Sequence, residues 1–263
     1  MTEQVLITTI DSRGVARLTL NRPDIRNAFN EQLIGDICEA MGRLSNDANV
    51  RAIVLTGAGK AFSAGADLNM MQRAAKYSAA ENKDDARRLA HMLSSIYHSP
   101  KPTVALVNGP AMGGGLGLIA ACDIAVGADT SFFALSEVRV GLIPAVISPF
   151  VIQAITVRQA RRLFLTGERF DAATAQRIGL LHKVVPADTL NDALEETLGE
   201  LLVCGPQSQE LTKELIRKVA YRPFGEAVME ETATMIAKTR ASAEGREGVT
   251  AFLEKRKPTW LKN

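Results

Sequence analysis

The chain is expected to fold as an α/β protein whose first part alternates strands with helices and whose remainder, from about residue 150, is mostly helical. Two observations predict this. Unbroken apolar runs at residues 51–56 and 103–107 suit strands covered on both faces. Between them lie segments whose apolar residues recur at helical spacing.

In chain order, residues 5–9 and 15–20 read as strands turned at Asp11-Ser-Arg-Gly14. Asn30 suits the cap of a helix carrying Leu33, Ile37, Met41 and Leu44 on one face. Residues 51–56 form the next strand. Residues 84–97 form a second amphipathic helix, with Ala86, Leu89, Leu93 and Ile96 aligned. Strands at 103–107, 123–126 and 132–135 follow. Helices are then expected at 158–165, 172–178, 190–202, 209–219 and 225–238. Asp171 caps the second of these, Gly179 follows its end, and Pro206 restarts a helix just after Gly205. One strand, 183–185, interrupts them.

Composition narrows the function. Of 263 residues, 46% are apolar and 23% charged, as in ordinary globular chains, which excludes collagenous, coiled-coil and disordered classes. Thirty-one basic against 29 acidic residues give no global field for nucleic acid, and one Trp with three Tyr leaves few stacking platforms. Cys38, Cys122 and Cys204 are an odd number, far apart, which argues against a disulfide framework or a zinc site and fits a reducing compartment. The opening residues lack the basic-then-apolar pattern of a leader, and no apolar stretch is long enough to span a bilayer. A soluble cytoplasmic protein is expected.

Three segments carry the chemistry. The first, Thr56-Gly-Ala-Gly-Lys-Ala-Phe-Ser-Ala-Gly-Ala-Asp67, has neither P-loop spacing nor the glycine that a nucleophile elbow around Ser63 requires. Read plainly it is a strand-to-helix loop; read functionally, Gly65 turns the backbone so that the amides of Ala66 and Asp67 face outward. The second, Asn108-Gly-Pro-Ala-Met-Gly-Gly-Gly-Leu-Gly-Leu118, follows a buried strand and opens an apolar helix, without the dinucleotide fingerprint. Close helix–strand packing would use such glycines, but each costs about 1 kcal/mol inside a helix relative to Ala. Their accumulation suggests bare amides serving as oxyanion donors. The third, Phe132 to Pro144, sets a lone carboxylate, Glu137, among Phe, Leu, Val and Ile. An acid there is either exposed at a turn or held in an apolar pocket with a raised pKa, suited to proton transfer.

These segments, with Asn21-Arg-Pro, Asn27-Ala, Ala64-Gly-Ala-Asp67 and Ser136-Glu-Val-Arg-Val-Gly-Leu-Ile-Pro144 in that order, resemble enoyl-CoA hydratases of the crotonase superfamily from about residue 5 to Trp260. The resemblance implies a ββα-spiral catalytic core over residues 1–195 and a C-terminal helical trimerisation region over 196–263. It implies a homotrimer or dimer of trimers acting on an acyl-CoA, with no cofactor, metal, nucleic acid or membrane partner. The backbone amides of Ala66 and Gly114 would hold the thioester oxygen, with Gly113 beside them and Glu137 as acid and base. The loop from Ala64 through Asp67 to Leu68 would meet adenine and pantetheine, and Arg26 or Lys60 the phosphates. Phe252 and Lys255 would contribute from a neighbouring subunit, although the run 254–257 taken alone reads as a solvated tail.

Hydratases of this family carry a second glutamate where this chain has Gly117. With Glu137 alone, one carboxylate would take the proton from water and return it to C2. The same pattern resembles Δ3-Δ2-enoyl-CoA isomerases, and a third alternative is a non-catalytic acyl-CoA binder. The segment 135–150 further resembles bacterial methylglutaconyl-CoA and isohexenylglutaconyl-CoA hydratases of leucine and acyclic-terpene breakdown. Their carboxylated substrates imply a cation in the acyl pocket: Arg73, with Lys76 and Tyr77, or Arg139. Residues 144–149 should form a stiff apolar wall, with Ser148 orienting water or capping. His91, His98 and His182 are expected in surface or packing roles. An NAD-dependent dehydrogenase lacks its fingerprint here, and a Clp-like serine peptidase would need His and Asp partners that Ser63 is not offered.

Overall fold

Alternation on two faces organises the molecule. The computed structural model describes residues 4–261; Met1–Glu3, which open the segment read for a leader, and Lys262–Asn263 lie outside the described residues. β1 (Leu6–Ile10) and β2 (Val15–Leu20) form a hairpin closed by Asp11, whose Oδ1 accepts from the N–H groups of Arg13 and Val15, both at 2.9 Å. α1 (Glu31–Asn46) is capped by Asn30, which accepts from the Leu33 N–H at 2.9 Å. β3 (Ala52–Gly57), α2 (Leu68–Ala74) and α3 (Ala79–Tyr97) follow, the last opened by a Ser78/Glu81 capping box. Next come β4 (Thr103–Val107), β5 (Ala111–Met112), α4 (Gly114–Ala121), β6 (Ile124–Ala128) and β7 (Phe132–Ala134). α5 (Ser148–Thr166), β8 (Arg169–Asp171), α6 (Ala172–Arg177) and β9 (Lys183–Val185) lead to α7 (Leu190–Leu202), α8 (Pro206–Val219), α9 (Glu226–Ala241) and α10 (Ala243–Leu253).

The main sheet runs β1-β2-β3-β4-β6-β9, parallel except for the first pair, and a smaller sheet runs β5-β7-β8. Ile53, Leu55, Ala105 and Val107 face a core shared with α1, α3 and α4. Their neighbours Ala52, Val54, Val104 and Leu106 face a second core against Leu190, Ala193, Leu194 and Leu198 of α7. Coverage of both faces explains the unbroken apolar runs.

Two expectations of element boundaries are corrected. The strand expected at 123 begins at Ile124, because Asp123 is used through its side chain. Its Oδ2 accepts from Thr103 N (2.7 Å), Thr103 Oγ1 (2.8 Å) and the buried Lys213 Nζ (2.5 Å). The helix expected at 158 begins at Ser148, and a break at Thr156 (φ 68°, ψ 158°) divides it. Position 195/196, the expected junction, lies inside α7, whose apolar face packs on the sheet; the packing changes only after Leu202.

Beyond that point little is buried. α9 has no buried residue, α8 only Lys213 and α10 only Ala251. Ile216, Met229, Ile236 and Val249 are exposed on these helices. No helix among the described residues is long and apolar enough to cross a membrane.

Candidate active site

The Ala66 loop is held by side chains. Asn27 is fully buried, with its backbone in the left-handed region (φ 56°). Its Oδ1 accepts from Arg22 N at 2.9 Å, and its Nδ2 donates to the carbonyls of Ala58 (2.9 Å) and Ala61 (2.8 Å). Buried Ser63 donates to the Asn27 carbonyl at 2.9 Å and accepts from Gly65 N at 3.2 Å, so its hydroxyl fixes the loop. Phe29 N donates to Gly65 O at 2.7 Å, and Asp67 N to Phe29 O at 2.8 Å. These two bonds flank Ala66 and leave its own N–H on the opposite edge, because successive amides alternate along an extended strand.

The Gly114 loop is shaped by missing side chains. Gly114 starts α4, where a first-turn N–H has no intrahelical acceptor. Gly65 has φ +81°, and a Cβ built on it would lie 2.8 Å from Met112 O and 3.4 Å from Gly114 N, so the two loops meet backbone to backbone. Gly113 (φ +48°) lies under the acid: a Cβ there would stand 2.9 Å from Glu137 Oε1.

Both loops and Glu137 line one cavity of about 540 Å³. Its wall is otherwise apolar, including Met70, Met71, Leu89, Met112, Leu142 and Ile143, with Ser136 beside the acid. Glu137 is the ionisable group in this lining among the described residues. Its Oε2 is buried without a hydrogen-bond partner, and burial pushes the carboxyl above the ordinary value of 4.5. No three metal-ligating side chains converge among the described residues.

A side chain at Gly117 would point into Ile147, which itself lines the cavity. A Cβ at 117 would lie 2.4 Å from Ile147 Cγ2 and 3.4 Å from Leu93 Cδ1. Ile147 therefore fills the room that a side chain at 117 would need, and the cavity holds a single acid.

Other expected residues fall as follows. Ala64 and Leu68 line the cavity, Leu68 at its exposed mouth. Asp67 does not: its Oδ1 caps α2 (Asn69 N, 2.8 Å) and its Oδ2 accepts from Arg22 Nη2 (2.9 Å). Burial would raise this carboxyl, but the Asn69 N–H and the Arg22 guanidinium hold it below the usual range. Arg22, not anticipated, also donates to Ala28 O at 2.6 Å and so clasps both ends of the loop.

Arg73, expected as the acyl-pocket cation, is exposed, outside the cavity lining, and paired with Glu31 at 2.8 Å. Lys76 and Tyr77 are likewise outside the lining, and Arg139 is exposed and packs against Gly167. Arg26 and Lys60 are exposed beside the loop; Arg26 O accepts from Ala64 N at 2.8 Å. Phe252 and Lys255 are exposed at the end of α10, away from this chain's cavity. Ala145, Val146 and Ile147 form the wall expected at 144–149, whereas Ser148 donates to Ala145 O at 2.8 Å and shapes the turn. His91 and His98 are exposed, and His182 Nδ1 accepts from Ala125 N at 3.0 Å.

Two back-to-back loops presenting backbone amides beside one half-buried acid, on a mixed sheet with a helical C-terminal region, define the crotonase-like class of α/β protein. The chain belongs to the enoyl-CoA hydratase/isomerase family, whose sequence profile matches residues 11–263. It is similar to a solved enoyl-CoA hydratase from Shewanella pealeana (40% identity, TM-score 0.95, covering 98% of this chain and 96% of that one). It is also similar to one from Mycobacterium smegmatis (33% identity, TM-score 0.92, covering 98% and 99%). The enoyl-CoA hydratase AKT6-1 of Alternaria alternata is 36% identical over 255 residues, covering 94% of this chain and 81% of the relative.

Proposed function

We propose that the chain is a hydro-lyase that adds water across the 2,3 double bond of a 2-enoyl-CoA thioester. The observation that carries this reading is the unpartnered Glu137 Oε2 in a cavity shared with the backbones of Ala66 and Gly114. The thioester oxygen accepts from both amides, which stabilise the enolate as charge moves onto it; one such donor is worth about 2.7–4 kcal/mol. Glu137 takes a proton from water as the oxygen bonds to C3, then returns that proton to C2. The thioester supplies its own electron sink, so the balance closes without a cofactor. Arg26 and Lys60 meet the CoA phosphates. The uncovered apolar residues on α8–α10 support assembly into a trimer, which would bring a neighbour's Phe252 and Lys255 to the CoA.

Glu137→Gln tests the acid. With crotonyl-CoA, loss of the 2-enoyl absorbance should slow by about 10²–10⁴. A variant as fast as wild type removes Glu137 from the mechanism. The Gly117–Ile147 contact favours a second reading, a Δ3-Δ2 isomerase, since one carboxylate suffices to move a proton between C4 and C2. Appearance of 2-enoyl absorbance from 3-hexenoyl-CoA, faster than its loss from 2-hexenoyl-CoA, would establish that reading instead. Binding without turnover of either substrate would leave an acyl-CoA carrier.

A further inference from the structure

We infer that the Ser136 hydroxyl holds the water that adds to C3, accepting a hydrogen bond from one of its O–H groups while Glu137 takes the proton of the other. This rests on the hydratase reading of the same cavity. Of the side chains that line it among the described residues, only those of Ser136 and Glu137 carry an oxygen or nitrogen atom. The two residues open a single 3-10 turn, Ser136–Val140, and consecutive Cα atoms stand about 3.8 Å apart, so one water reaches both side chains. The segment is fixed on either side: Gly113 N donates to Ala134 O at 2.9 Å, and Leu142 N to Glu137 O at 3.0 Å. Ser136 is half-buried, and its Oγ makes no hydrogen bond to another of the described residues. Unlike Glu137 Oε2, that oxygen is not sealed from solvent, so it is free to meet a water.

A nucleophilic water needs a second partner. One hydrogen bond to Glu137 leaves its oxygen free to swing, and a displacement of about 1 Å costs about 10²-fold in rate. Other acceptors around the cavity are committed. Gly65 O accepts from Phe29 N at 2.7 Å, Glu137 O from Leu142 N, and Ala145 O from Ser148 Oγ at 2.8 Å. Ser148, the nearby second hydroxyl, is thereby used by its own turn, and Ile147 closes the space beside Gly117. The atoms balance with Ser136 unchanged. The water oxygen bonds to C3, the proton taken by Glu137 goes to C2, and the remaining hydrogen stays on the new hydroxyl, still donating to Ser136 Oγ.

Ser136→Ala and Ser136→Thr separate the water from the acid. With crotonyl-CoA, kcat/KM for hydration should fall about 10- to 100-fold in Ser136→Ala. Ser136→Thr restores a hydroxyl and should stay within about threefold of wild type. Deuterium exchange at C2 of butyryl-CoA in heavy water uses Glu137 and the two amides but adds no water to the chain. That exchange, and the Kd of butyryl-CoA, should change by less than about threefold in both variants. Hydration by Ser136→Ala within about threefold of wild type overturns the inference alone. So does an equal fall of exchange and hydration, which would make the hydroxyl a support for Glu137 rather than a holder of water. A wild type that hydrates no 2-enoyl-CoA overturns the hydratase reading and takes this inference with it.

Discussion

The two loops that meet at the cavity reach the same end by opposite means. Around Ala66 the backbone is tied by side chains: Asn27 makes three hydrogen bonds, Ser63 two, and Arg22 joins Ala28 to Asp67. Around Gly114 the loop is shaped by what is left out, so that Gly113 lies under Glu137 and Gly65 against Met112. The first design stores its precision in bonds that also hold the fold. The second stores it in close contacts that do little for stability. Substitutions should therefore separate them, the first loop failing in stability and the second in rate.

The sharpest test is Gly113→Ala. The new Cβ would stand 2.9 Å from Glu137 Oε1 at a φ of +48°, displacing either the acid or the amide beside it. We expect kcat/KM for crotonyl-CoA to fall by about 10²–10³; a wild-type rate would show that the bare loop is not what aligns the site. Next, Asn27→Ala should lower unfolding free energy by about 3 kcal/mol, read by urea titration, because it strands the Ala58 and Ala61 carbonyls and the Arg22 N–H. Full stability with impaired turnover would erase the distinction between the loops. Ser63→Ala should cost about 1 kcal/mol. A large loss of activity without that destabilisation would give the hydroxyl a chemical part to play.

The smallest effect is a pH-dependent one. Burial raises the Glu137 pKa above its ordinary 4.5, so the folded state holds its proton more tightly than the unfolded chain. Stability attributable to this group is therefore complete below 4.5 and declines as pH climbs through the folded pKa. Glu137→Gln should accordingly melt higher than wild type at neutral pH, with the gap closing below pH 4.5. Equal melting temperatures at neutral pH would mean that the carboxylate is well solvated.

What could be read from the chain was local. Asn30 and Asp171 cap helices through residues three positions away, and the glycine cluster marks its own loop. The acid among apolar residues was visible in the same way. Partnerships across the fold were not: nothing near Asp67 signals that Arg22, 45 positions earlier, will claim it. Arg73 reads as a free cation until Glu31 is placed beside it. β5 and β8 are two and three residues long and exist only because β7 lies between them. The break at Thr156 gave no sign either, since a β-branched residue is a poor occupant of positive φ.

The fit of Ile147 against Gly117 constrains how this protein could change. Enlarging residue 117 first would drive its new side chain into a neighbour 2.4 Å away. Shrinking residue 147 first merely opens a void. An acid at 117 is thus accommodated more easily once residue 147 has become smaller, and that order of replacement passes through a hollow before a new group fills it.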